Sequence, residues 1–141
     1  MEIGLAYATK TKHSKKIAES IADELKMEAK NVSSHPSYEN IDLLFLAGGI
    51  YGGESMPEMI EFVKQLTPRQ VKNVVLITSC VSKKAYQEAV RRQLTTNGIN
   101  VIDEFMCQGN FLFFGFGHPN IKDIENAAAF AKEAVNKLSA G

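Results

Sequence analysis

Thr9-Lys10-Thr11-Lys12-His13-Ser14 places three hydroxyls and two lysines in six consecutive positions. Lys15 and Lys16 follow, and no acid appears until Glu19. An apolar run, Ile3 to Ala8, leads into this stretch, and an amphipathic pattern leaves it. A strand that feeds a helix through a short hydroxyl-bearing loop makes an anion site, because free backbone N–H groups and the positive helix end face the same point. A helix cap in a basic, solvated turn accounts for the same residues, so this stretch alone leaves both readings open. It is not a P-loop, since no Gly-Lys-Ser/Thr follows a glycine spacer. His13 has no evident acid–base partner, and a lone loop histidine is more often a surface residue than a catalyst.

Three further loops have unusual composition. Gly48-Gly49-Ile50-Tyr51-Gly52-Gly53 brackets an aromatic with four glycines. That pattern suits positive φ or close backbone approach to a flat ligand, with the Tyr51 ring stacking on it. The bland alternative is a glycine-rich turn before a helix. Thr78-Ser79-Cys80-Val81-Ser82 offers small residues and backbone N–H groups that suit the polar edge of a heterocycle. Cys80 as a nucleophile needs a base or a cationic field, and Lys83 and Lys84 supply little of either. Cys107 reads as an inert strand-end residue. The aromatic stretch Phe111 to Phe116, ahead of His118-Pro119-Asn120, suits a ligand cover, a protein contact or core packing equally. No catalytic residue and no metal cluster emerges.

These loops need elements to position them. Strands are expected over Glu2–Tyr7, Ala29–Val32, Leu43–Ala47, Val74–Thr78 and Asn100–Cys107. Ser14 is the expected cap of a helix using Ile17, Ala18, Ile21, Ala22 and Leu25. A second helix opens at Pro57 and buries Met59, Ile60, Phe62, Val63 and Leu66. A third spans about Lys83 to Thr96, with Ala85, Tyr86, Ala89, Val90 and Leu94 inward and Gly98 as its stop. The last, roughly Ile121 to Leu138, packs through Ile124, Ala127, Ala128, Ala131, Ala134, Val135 and Leu138. Strands that are apolar throughout, alternating with amphipathic helices, imply an α/β fold: a doubly wound five-stranded parallel sheet with helices on both faces. Ligands in such sheets bind beyond the carboxyl ends of the strands, at the switch point. The loops after the first, third and fourth strands should therefore share one edge.

Composition narrows the classes. The 141 residues suit a single domain over 1–141, long enough to bury a core. Formal net charge is zero, which gives no general attraction to nucleic acid or an anionic membrane. Two cysteines, Cys80 and Cys107, are too few for a disulfide scaffold and suit a reducing, cytoplasmic setting. The longest apolar runs are far shorter than a membrane span.

Taken together, the loops resemble those of the flavodoxin family over essentially the whole chain. The anchors are Thr9-x-Thr11-x-x-Ser14, then Gly49-Ile50-Tyr51-Gly52-Gly53, then Gly117-His118-Pro119-Asn120 before an alanine-rich helix. The resemblance implies a flavodoxin-like fold and non-covalently bound FMN. Thr9, Thr11 and Ser14 match the hydroxyl ligands of its phosphate, with backbone N–H groups from Lys10, Lys12 and His13. Tyr51 matches the aromatic stacked on the isoalloxazine, and Gly52 the peptide that turns to hydrogen-bond flavin N5 on reduction. Ser79, Cys80 and Val81 match the loop along the pyrimidine edge. Two departures stand out. Lys12 occupies a position where the family usually has glycine, and at positive φ a lysine costs on the order of 1 kcal/mol. The chain is also neutral, whereas classical flavodoxins are strongly acidic, and Glu54 and Glu58 face Lys83 and Lys84 around the expected flavin rim.

The leading expectation is an electron carrier that meets a partner oxidoreductase or reductase transiently, as a monomer or weak dimer, with neither nucleic acid nor membrane involved. An NAD(P)H-dependent FMN reductase of quinone-like acceptors is the enzymatic alternative, and a flavin-free interaction module is the third. A phosphorylation-receiver domain needs clustered acids at the ends of the first and third strands. Tyr7-Ala8-Thr9 and Ala47-Gly48-Gly49 stand there instead.

Overall fold

The computed structural model describes residues 1–8, 13–51, 54–80, 87–108 and 121–140. Thr9, Lys10, Thr11, Lys12, Gly52, Gly53, Val81 and the aromatic stretch 111–116 lie outside the described residues. Five parallel strands form one sheet: β1 (Ile3–Ala8), β2 (Lys30–Asn31), β3 (Ile41–Tyr51), β5 (Val71–Cys80) and β6 (Asn100–Gln108), in the order β2-β1-β3-β5-β6. A two-residue strand, β4 (Glu54–Ser55), turns back antiparallel on the end of β3. Helices α1 (His13–Leu25) and α4 (Ile121–Ala140) pack on one face with Leu5, Phe45 and Ile77. Helices α2 (Pro57–Lys64) and α3 (Glu88–Thr96) pack on the other with Leu44, Leu46 and Leu76. This is the expected doubly wound α/β architecture. Each central strand is buried on both sides, which is why its sequence reads as a continuous apolar run rather than an alternation.

Several boundaries differ from expectation, each for a local reason. Ser14 lies within α1 rather than capping it, because the helix already begins at His13. The second strand shrinks to Lys30–Asn31, paired with Ala6 and Tyr7. The Asn31 side chain then accepts from the Ser33 backbone N–H at 2.9 Å and starts a 3₁₀ turn over Val32–Ser34. No longer helix links β2 to β3. The third strand runs on to Tyr51, because Gly48, Gly49 and Ile50 continue the ladder against Thr78, Ser79 and Cys80. Helix α3 begins only at Glu88: Gln87 is non-helical, at φ −78° and ψ 65°, with its side chain turned to the sheet. Ala89 consequently faces solvent instead of the core.

Pro57 does open α2, and Gly98 does close α3. Gly98 sits at φ 87°, with its N–H on the Thr95 carbonyl and that of Ile99 on Leu94, both at 3.0 Å. This is the paired bonding of a Schellman end, which needs the left-handed conformation glycine adopts freely.

Candidate functional site

The chain moves outward from β1 to β2, then returns across β1 to build β3, β5 and β6 on the other side. The crevice between the carboxyl ends of β1 and β3 is therefore the switch point. Its floor is set by register: Ala8 pairs with Gly48, and Gly48 with Thr78. One step further along, Gly49 pairs with Ser79, and Ile50 with Cys80. The ends of β1, β3 and β5, which carry the three expected ligand loops, thus lie side by side on one edge. His13 and Ser14 open α1, directly after the four residues that leave β1. Tyr51 ends β3, paired with Glu54 of β4 across the two-residue Gly52-Gly53 link, a hairpin spacing. The fourth expected loop falls outside the described residues.

Electrostatics distinguish the helix that begins at this crevice. The first turn of α1 contains no acid, whereas α2 and α3 carry Glu58 and Glu88 in theirs. Its partial positive charge therefore has no carboxylate in the first turn to offset it. Among the described residues, no three His, Cys, Asp or Glu side chains gather as a metal group. Among the same residues, no helix is long and apolar enough to cross a membrane.

A polar cluster beneath the same edge escaped the sequence reading. Gln87 is fully buried, and its Nε2 donates to the Ile77 carbonyl at 3.2 Å and to Thr78 Oγ1 at 3.1 Å. The Thr78 hydroxyl donates to Glu104 Oε2 at 3.2 Å, as does the Gln87 backbone N–H at 3.3 Å. Arg91 pairs with Glu104 Oε1. A β-bulge brings Glu104 into this cluster. Val74 pairs with Val101 but Val75 with Asp103, so Ile102 is the extra residue and Asp103, Glu104 and Phe105 change face. Glu104 thereby joins the α2/α3 side, while Phe105 meets Phe130 of α4 at a centroid separation of 5.1 Å. The sequence did carry a sign of this: Val101-Ile102-Asp103-Glu104 puts two apolar and then two acidic residues together, which no alternating strand can seat correctly.

Among the described residues, two titrations that the fold displaces lie away from the crevice. Burial, then the charge of Glu28, pushes Tyr38 up to about 12. Its hydroxyl sits 3.4 Å from the Leu5 carbonyl, midway along β1. Asp42, at the amino end of β3, is held below the usual carboxylate range, first by the Glu2 backbone N–H and then by Lys72. A groove of about 700 Å³ between Val32–Tyr38 and α2, lined by Tyr38, Phe62 and Glu61 among others, occupies the side where β2 and β3 lack a connecting helix.

A family model for the flavodoxin domain matches residues 5–112, from β1 through the end of β6. The chain belongs to the flavodoxin family. An uncharacterized protein of Methanocaldococcus jannaschii is 32% identical over 136 residues, covering 88% of this chain and 91% of that protein. A flavodoxin from the domain Archaea superposes with a TM-score of 0.76 at 12% identity, covering 99% of each chain. An NAD(P)H:quinone oxidoreductase from Methanothermobacter marburgensis superposes with a TM-score of 0.68 at 10% identity, covering 95% of this chain and 96% of its own. At such identities the two superpositions speak to the fold.

Proposed function

We propose that the chain binds FMN at the switch-point crevice and passes electrons to a partner oxidoreductase. The observation that carries this reading is the shared carboxyl edge, where Ala8, Gly48 and Thr78 pair in one row beneath an acid-free helix start. The residues present suit the phosphate end of such a group: hydroxyls at Thr9, Thr11 and Ser14, with the first turn of α1 behind them. Gly49 to Gly53 and Ser79 to Val81 supply the strand ends and loops for the ring, with Tyr51 as the stacking aromatic. FMN, when bound, supplies one- and two-electron chemistry. The chain's own task is to hold the phosphate, exclude water from the ring and set the polarity around it.

The partner is one that does not select for strong acidity, since the chain is neutral overall. Carriers and NAD(P)H:quinone oxidoreductases share this fold, so kinetics must separate them. The purified protein should be yellow, or become so on addition of micromolar FMN; a colourless protein that ignores FMN overturns the reading. Thr11→Ala should weaken FMN binding while Lys12→Gly keeps or tightens it, and a titration in the reverse order moves the phosphate elsewhere. Electrons should arrive from a separate reductase, with little steady-state NAD(P)H oxidation by the FMN-loaded chain alone. Rapid turnover with NAD(P)H and a quinone makes it an enzyme instead.

A further inference from the structure

Gln87 has a buried carboxamide oxygen, Oε1, with no hydrogen-bond partner among the described residues. The orientation of this amide is not arbitrary, because the Ile77 carbonyl can only accept and therefore takes the Nε2 side. Oε1 is left against Gly48: a Cβ built there would stand 2.7 Å from it. Gln87 is also the residue at which the chain re-enters helix after the segment that follows β5, and it does not cap that helix with its side chain. One residue thus touches β5 through Ile77 and Thr78, β6 through Glu104, and β3 at Gly48, the position paired with Ala8 at the switch point. A buried acceptor left unpaired is costly, and such costs persist where something else requires the geometry.

We propose that Gln87 is a positioning residue for the proposed ring site, fixing the strand ends Gly48–Tyr51 and Thr78–Cys80 relative to each other. This rests on the FMN reading above. The two bonds from Nε2 and the one from the backbone N–H hold the start of α3 against β5 and β6. Oε1 fills the space in front of Gly48, so the strand leading to Tyr51 cannot move toward α3. Glycine at position 48 suits this close approach, since a Cβ there would push the carboxamide off its two anchors, the Ile77 carbonyl and Thr78 Oγ1.

The test compares Gln87→Met with the wild-type full chain. Met has a similar shape, removes the unpaired oxygen and gives up the Nε2 bonds, so the urea midpoint should stay within experimental error of wild type. FMN affinity should nevertheless fall about tenfold and the flavin reduction potentials should shift, changes that a merely structural role would not produce at unchanged stability. Gly48→Ala should reproduce the loss by displacing the carboxamide, and the Gly48→Ala/Gln87→Ala pair should be no worse than Gly48→Ala alone. Additive losses in that cycle overturn the proposal, as do wild-type affinity and potentials in Gln87→Met. Amide hydrogen exchange on the FMN-free chain reads the same idea without the cofactor. Exchange at Gly48–Tyr51 and at Ser79–Cys80 should quicken at least tenfold in Gln87→Met, with Leu5 and Val75 unaltered. Unchanged exchange at all four places refutes the positioning role, whereas a wild-type chain that binds no FMN but shows the exchange difference refutes only the FMN reading.

Discussion

The two faces of the sheet are built to different rules. Under α1 and α4 the described core is apolar from end to end, through Leu5, Tyr7, Leu43, Phe45, Ala47, Val75 and Ile77. Under α2 and α3 the middle is as dry, with Leu44, Leu46, Val74 and Leu76, but the carboxyl end turns polar at Thr78, Gln87 and Glu104. Hydrogen bonds there must be satisfied in place, and in exchange they fix distances that apolar contacts leave soft. The α1/α4 face supplies stability, and the α2/α3 face also supplies position, at the edge where the proposed ligand loops emerge.

Truncations in the middle of each face give the largest effects and test whether the faces are equally well packed. Phe45→Ala should cost about 3–5 kcal/mol and Leu46→Ala, its neighbour pointing the other way, about 2–5 kcal/mol; both side chains are fully buried. Urea denaturation reads both. A cost below 1 kcal/mol for Leu46→Ala would mean that the α2/α3 face is loosely filled even at its centre. Arg91→Met comes next. Glu104 is 7% exposed and would keep Thr78 and the Gln87 N–H while losing its cation. Because Arg91 itself is 38% exposed and screened by solvent, the cost should be about 1–2 kcal/mol rather than that of a fully buried pair. Adding Glu104→Gln should recover most of it; no recovery would show that Arg91 acts by packing its stem.

This division explains what could be seen in the sequence. Val74–Ile77 and Leu43–Ala47 announce central parallel strands because both faces bury them, and the strand order then follows from short right-handed connections. Gly98 announces a helix end because its conformation is one that few other residues tolerate. The glycine at 48 was visible too, but its reason was not. It serves a side chain 39 positions later, and single-sequence periodicity carries no such distant contact. Gln87 falls within the expected third helix and outside its expected inward set for the same cause. The loops expected to hold phosphate and ring were legible as unusual composition, and the sheet register puts the strand ends that lead into them on one edge.

The ends of α1 and α3 make a smaller comparison across the two faces. Both close with the same pair of bonds: the Lys26 N–H to Asp23 at 3.3 Å and Met27 to Ala22 at 2.8 Å, against those described for Gly98 and Ile99. The difference is the residue in the left-handed position, Lys26 at φ 54° against Gly98 at φ 87°. A lysine there carries a steric cost that glycine lacks, so Lys26→Gly should stabilise by about 1 kcal/mol. Gly98→Ala should destabilise by a similar amount, with its Cβ also 3.3 Å from the Pro68 ring. Thermal midpoints of the two variants should move in opposite directions. If both fall, the α1 end is held by contacts of the lysine stem that the backbone pattern does not reveal.

The smallest effect appears only in alkali and belongs to the side where a short 3₁₀ turn replaces a helix between β2 and β3. Tyr38 covers that side, edge-on to Phe62 with ring centroids 6.2 Å apart. Burial favours its neutral form, which moves its pKa from 10.0 to about 12. The unfolded chain therefore releases this proton first. The preference of the folded state for neutral Tyr38 is fully present below pH 10, drains away as pH rises toward 12, and is gone above it. Tyr38→Phe removes the titration but keeps the ring and its packing, so the variant should lose less stability than wild type between pH 10 and 12. Lysines titrate over the same range in both proteins, and the difference between the two urea-midpoint curves isolates the tyrosine. Parallel curves would mean that the phenol reaches water from the adjoining groove and that this side of the sheet is wetter than the α1/α4 face.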